Sequence, residues 1–189
     1  MGQRSRIEGA QDAIELLLEE HRKLQTMFED YDRLASQEGV EDDKGRLSAQ
    51  ACAELALCLQ IEDQGFYPAA RAALGDHDLF DEAADAHQGA GDLMRQLECM
   101  EPDDRRYDAQ VKLLGELALR HFGIERDEMF PQAKSAGLDL DGVARQMRAL
   151  RGELLAEMRL AEAPSVEDGM RAAKHAPHNG GESASGARK

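Results

Sequence analysis

Six side chains in this sequence are of types that hold metal ions and fall on helix faces that should be buried: His21, Cys58, Glu62, His87, His121 and Glu125. A carboxylate buried without a partner costs several kcal/mol and normally takes up a proton or finds a cation. Imidazole offers a neutral nitrogen donor, and a carboxylate offers charge neutralisation and can bridge two ions. One metal cluster accounts for all of these positions together. His121 and Glu125 stand four residues apart, so their side chains leave a helix side by side. Cys58 and Glu62 repeat that frame in an earlier helix.

An internal repeat lies behind the frame. Ile61-Glu62 followed by Phe66-Tyr67-Pro68-Ala69-Ala70-Arg71 matches Ile124-Glu125 followed by Met129-Phe130-Pro131-Gln132-Ala133-Lys134, at an offset of 63 residues. At that offset Cys58 falls on His121 and Glu62 falls on Glu125. A helix with one inward His precedes each half, at His21 and at His87. The chain therefore reads as two helical hairpins, and pairing them about a pseudo-twofold axis brings six candidate ligands to one centre.

The elements that must position these residues are helices. Asp12 is an N-cap for a first helix in which Ile14, Leu17, Leu18, His21, Leu24, Phe28, Tyr31 and Leu34 recur at helical spacing. Residues 37–46 read as a loop. A second helix over 47–74 carries Leu55, Cys58, Glu62 and Phe66 on one face. A third over 78–99 carries Ala84, His87, Gly91 and Met94. A fourth over 107–134 carries Val111, Leu114, Leu117, His121, Glu125 and Met129, and a shorter fifth covers 141–160. The expected fold is all-α, an antiparallel up-down four-helix bundle with a short fifth C-terminal helix. Residues 1–10 read as a flexible N-terminus, 11–160 as the domain, and 163–189 as a disordered tail without apolar period.

Composition agrees with a helical core and narrows the function classes. Hydrophobic residues make up 42%, with no Trp and 5 Pro in 189 residues. The net charge of -15 argues against nonspecific nucleic-acid binding and against adhesion to anionic membranes. No apolar run reaches the length of a membrane span, and no signal peptide is visible at the start. Cys52, Cys58 and Cys99 sit inside helical patterns and read as reduced thiols of a cytoplasmic protein.

At Asp12 through Leu17 leading to His21, at Ile61-Glu62 to Tyr67-Pro68, and at His121 through Glu125 to Phe130-Pro131, the sequence resembles the hemerythrin family in its bacterial HHE cation-binding form. The resemblance covers about residues 10–160. It implies a four-helix bundle around a carboxylate-bridged pair of irons that binds dioxygen or responds to nitric oxide or peroxide. The implied ligands are His21, Glu62, His87, His121 and Glu125, with the two Glu residues as bridges. One ion, or another divalent metal, is the alternative. Cys58 stands where the pattern has a His. It is a thiolate ligand, an oxidisable sensor, or a small buried residue beside an incomplete site. Gly91 and Arg126 stand where the oxygen carriers have a His and an Asp, which argues against a reversible carrier of the animal type.

Taken singly, each residue has an ordinary reading. His21 and His87 could be satisfied core histidines, and Glu62 and Glu125 could pair with Arg71, Arg120 or Arg126 at a surface. Tyr31 and Tyr67 could bond near a site or only pack. His77, His175 and His178 are assigned no role. No zincin motif, phosphate-binding Gly loop or Cys-x-x-Cys pair is present. Three functions follow: a binding or sensing module for a small diatomic gas or peroxide, a diiron peroxidase-like or oxidase-like enzyme, or a degenerate bundle acting as an interaction module with a protein partner.

Overall fold

The computed structural model describes residues 11–75 and 78–162. These residues are helical, with no strand among them. Helix α1 spans Ala13–Ala35, α2 Glu41–Ile61, α3 Tyr67–Leu74, α4 Asp78–Glu98, α5 Tyr107–Ile124, α6 Phe130–Ser135 and α7 Leu140–Glu162. Two π-helical turns, Glu62–Phe66 and Glu125–Met129, join α2 to α3 and α5 to α6. The expected five helices are thus present as five rods, the second and fourth each containing a widened turn. A compact unit runs through Leu154, and the tail expected to be disordered lies outside the described residues, as do the N-terminal segment and His77, His175 and His178.

Asp12 caps α1 as the sequence predicts. Its carboxylate accepts from the Glu15 amide at 2.9 Å and Glu15 accepts from the Asp12 amide at 3.0 Å, a reciprocal capping box. Helix α2 starts earlier than expected, at Glu41 rather than Leu47. Glu41, Asp42 and Asp43 occupy its first turn, where acidic side chains complement the helix dipole. The acids and Gly45 suggest a loop, yet Gly45 is there because Pro102 Cγ lies 2.8 Å from where a Cβ would stand. The early start places Lys44 on a buried face, where its ammonium reaches Asp108 Oδ1 at 2.9 Å and Tyr31 donates to the same oxygen at 2.8 Å. Tyr31 therefore belongs to this ion pair.

Helix α1 packs on α2 and α5, and α4 packs on α5 and α2, so each core face meets two neighbours. Leu24, Leu55, Val111 and Leu114 are among the most buried members of the shared core. On α4 the inward residues are Leu79, Phe80, Ala83, Ala90 and Leu97. Ala84, expected inside, is exposed, because the face centred on Ala83 and Ala90 is the one turned toward α5 and α2. No described helix is long and apolar enough to cross a membrane.

Candidate metal centre

The widened turns explain how two carboxylates reach the middle of this core. Pro68 and Pro131 lack the N–H that a continuous α-helix would use, and such a residue disrupts the ladder just before it. In its place Tyr67 N–H bonds Glu62 O and Phe130 N–H bonds Glu125 O, closing a turn with one extra residue. Glu62, Gly65 and Phe66 are all buried by that turn, and so are Glu125 and Met129. The two turns start at the two Glu residues, at the same offset as the sequence repeat.

Glu62 and Glu125 are both fully inaccessible, so neither is a surface partner of Arg71, Arg120 or Arg126. Around Glu62 the imidazole nitrogens converge. His21 Nε2 lies 2.9 Å from its Oε1, while His87 Nε2 and His121 Nε2 lie 3.2 and 3.5 Å from its Oε2. Cys58 donates to Oε1 at 3.2 Å. Glu125 Oε2 stands between His21 and His121, at 3.5 and 3.6 Å from their Nε2 atoms. His87 Nε2 and His121 Nε2 face each other at 3.0 Å.

Two groups of three donors each lie within 4.8 Å of one another, His21 with Cys58 and Glu62, and Glu62 with His87 and His121. Glu62 belongs to both. All six residues singled out in the sequence thus meet in one cluster, with Glu125 at its edge between His21 and His121. This donor set fits a cation. Glu62 Oε2 and Glu125 Oε2 are buried and have no aligned hydrogen-bond donor. Carboxylates in that condition are stabilised by positive charge.

The surroundings exclude water. Phe122 stacks on His21 with ring centroids 3.9 Å apart, and Phe66 packs edge-on to Phe130. Tyr67 donates to Glu125 Oε1 at 2.9 Å and its hydroxyl lies 3.3 Å from both His87 Nε2 and His121 Nε2. A cavity of about 50 Å³ adjoins Cys58, lined by Leu16, Leu17, Ile61 and Met147 and by the charged Glu20, Arg148 and Arg151. Asp63, Phe122 and Phe130 were not singled out by sequence. The signal for Asp63 was its place beside Glu62, and for Phe130 its match to Tyr67 in the repeat.

The electrostatics follow from this packing. Burial opposes charge on Glu62, but the His121, His21 and His87 imidazoles gathered around it overcome burial and hold the carboxyl well below its ordinary range. Burial and the Glu62 charge push Glu125 up to about 7. Burial disfavours a charged His21, and the Glu62 and Glu125 carboxylates outweigh it, so its pKa is raised. In His87 the same opposition by burial is outweighed by Asp63 and Glu62, giving about 9. Burial, with the Glu62 charge, pushes the Cys58 thiol far up, and burial pushes Cys52 up to about 11.

Cys58 and Cys52 are therefore thiols without a cation beside them, whereas Cys99 is exposed. Alkylation of the metal-free folded protein near neutral pH should modify Cys99 at least about 10-fold faster than Cys58, because the thiolate is the nucleophile. Mass spectrometry of timed samples measures this, and equal rates would contradict the burial assigned to Cys58.

A family model for the hemerythrin HHE cation-binding domain matches residues 12–133. No curated protein and no solved structure matches the chain.

Proposed function

Because the chain belongs to the hemerythrin HHE cation-binding domain family, we propose that it holds iron, as two carboxylate-bridged ions, and that the centre binds or senses dioxygen, nitric oxide or peroxide. The observation that carries this reading is the position of Glu62 in two separate three-donor groups. A carboxylate with one oxygen turned to each group is suited to bridging. In this reading His21, His87 and His121 would hold the ions as terminal ligands, the Glu62 and Glu125 carboxylates would be shared between them, and Cys58 would join as thiolate once a cation offsets its burial. Bound iron supplies electron exchange and an open coordination position for a small ligand.

The remaining side chains serve that centre. Phe66, Phe122 and Phe130 exclude water and so strengthen each charge interaction inside. The Tyr67 hydroxyl holds a proton against Glu125 Oε1 and keeps that oxygen oriented. The cavity beside Cys58 has room for a diatomic molecule, since one water needs about 10–15 Å³ of such space. Leu16, Leu17, Ile61 and Met147 give it an apolar wall beside Cys58, and Glu20, Arg148 and Arg151 give it a charged rim.

The test exposes iron-loaded protein, prepared reduced, to dioxygen, nitric oxide and hydrogen peroxide in turn while the visible spectrum is followed. A change with at least one of them is expected. An unchanged spectrum with all three, in protein of measured iron content, would overturn the sensing reading. In Cys58→His any sulfur-to-metal charge-transfer band should disappear and the ion count should be held or rise. A band that survives the substitution would exclude Cys58 as a ligand.

A further inference from the structure

We propose that Asp63 is a positioning residue that makes the two halves of the centre unequal, so that the His87–His121 half takes the first cation and the His21–Cys58 half the second. This rests on the metal-binding reading above.

The repeat makes the two halves comparable residue by residue. Asp63 follows Glu62 in the first widened turn, and its Oδ1 lies 2.9 Å from His87 Nδ1. With the proton on Nδ1 donated to Asp63, His87 Nε2 is turned inward, toward Glu62 Oε2, His121 Nε2 and the Tyr67 hydroxyl, and its lone pair is offered to a cation once the Nε2 proton leaves. At the repeat offset the counterpart of Asp63 is Arg126. It is a cation, it is exposed, and it pairs with its own neighbour Asp127 at 2.8 Å.

His21 is the counterpart of His87, and the difference shows on it. Its Nδ1 is buried with no hydrogen-bond partner. The phenol of Tyr67, whose ring stacks on His87 at 5.5 Å, is matched by the phenyl ring of Phe130, stacked on His21 at 6.1 Å. The second imidazole, His121, is matched by Cys58. All three differences fall the same way. The His87 half has a carboxylate behind its first imidazole, a hydroxyl beside it and a second imidazole. The His21 half has none of these.

A ligating His that donates its other ring N–H to a carboxylate is fixed in tautomer and orientation and is made a stronger donor. Loss of such a partner lowers metal affinity by roughly 10–100-fold. Asp63 is half exposed, its side chain being 52% accessible, so the effect belongs near the lower end of that range. An ordinary exposed ion pair would change neither the tautomer nor the affinity of one cation selectively.

The full chain, freed of metal, is titrated with cobalt(II) against a competing chelator in wild type, Asp63→Ala and Asp63→Asn. The tighter of two steps should weaken about 10-fold in Asp63→Ala and less in Asp63→Asn, whose amide oxygen still accepts from Nδ1. The weaker step should not move. In the metal-free protein a downfield His87 Nδ1–H resonance should be present in wild type, retained in Asp63→Asn and lost in Asp63→Ala. Equal tight-step affinity in wild type and Asp63→Ala overturns the inference, and so does equal weakening of both steps. Failure of the wild type to bind any cobalt overturns the functional reading instead, and the resonance then decides whether Asp63 orients His87.

Discussion

Replacing Glu62 by Ala is expected to lower the affinity for a divalent cation by more than about 100-fold, beyond the range seen for loss of an outer partner. Glu62 contributes one oxygen to the His21–Cys58 group and the other to the His87–His121 group, so its removal breaks both at once. Cys58→Ala, by contrast, can impair only the first. The metal-free variant should also be less stable. Three imidazoles are arranged around Glu62, and removing one partner of a buried ionic cluster typically costs about 3–5 kcal/mol. Chelator competition gives the first effect and urea unfolding of the metal-free proteins the second. A degenerate bundle that has lost its metal would show the stability effect alone, with no cation affinity for the substitution to weaken.

The stability of the metal-free protein and the stability that metal adds to it should depend on pH in opposite senses. In the metal-free protein His87 titrates near 9 against an ordinary value of 6.5, and His21 is raised as well. A base raised on folding stabilises fully below its unfolded pKa and loses that contribution as pH rises through the folded value. Glu125, raised from 4.5 to about 7, acts in the same direction: the unfolded chain gives up the proton first, so stability falls between those values. Glu62 is depressed, and its contribution is present above its ordinary 4.5 and lost as pH falls below it. The metal-free protein should therefore be most stable in mildly acidic solution and lose stability steadily toward pH 9. A cation needs the same groups deprotonated, so its binding releases protons and strengthens as pH rises. At a free concentration of 100 Kd it adds about 2.7 kcal/mol, and that margin should widen from pH 6 to pH 8. Paired melting curves at these pH values measure it. A margin that shrinks with pH would contradict the ligand set.

Much of this centre was legible because its residues are out of place. Glu62, Glu125 and His121 interrupt apolar stripes, and a periodicity that predicts burial marks them at once. The offset between Glu62 and Glu125 tied them into one site before any contact was known. What stayed hidden depended on the exact path of the backbone. The widened turns add a residue where a 3.6-residue period is assumed, so Pro68 and Pro131 were visible but their consequence was not. The Asp63 bond to His87 joins α4 to the turn after α2, and no local pattern encodes that. Lys44 was obscured because three acids and Gly45 resemble a loop, whereas a dipole-matched first turn and the close approach of Pro102 make them a helix start. Ala84 was misplaced by a small rotation of α4 about its axis.

The central claim, that the buried His, Cys and Glu cluster is a cation site, is tested most directly by metal content. Metal-free full-length chain is reconstituted with ferrous iron under reducing conditions, desalted, and its iron is measured per chain beside Glu62→Ala treated identically. Two irons in the wild type and essentially none in the variant are predicted. A wild type that retains no more iron than Glu62→Ala would contradict the account.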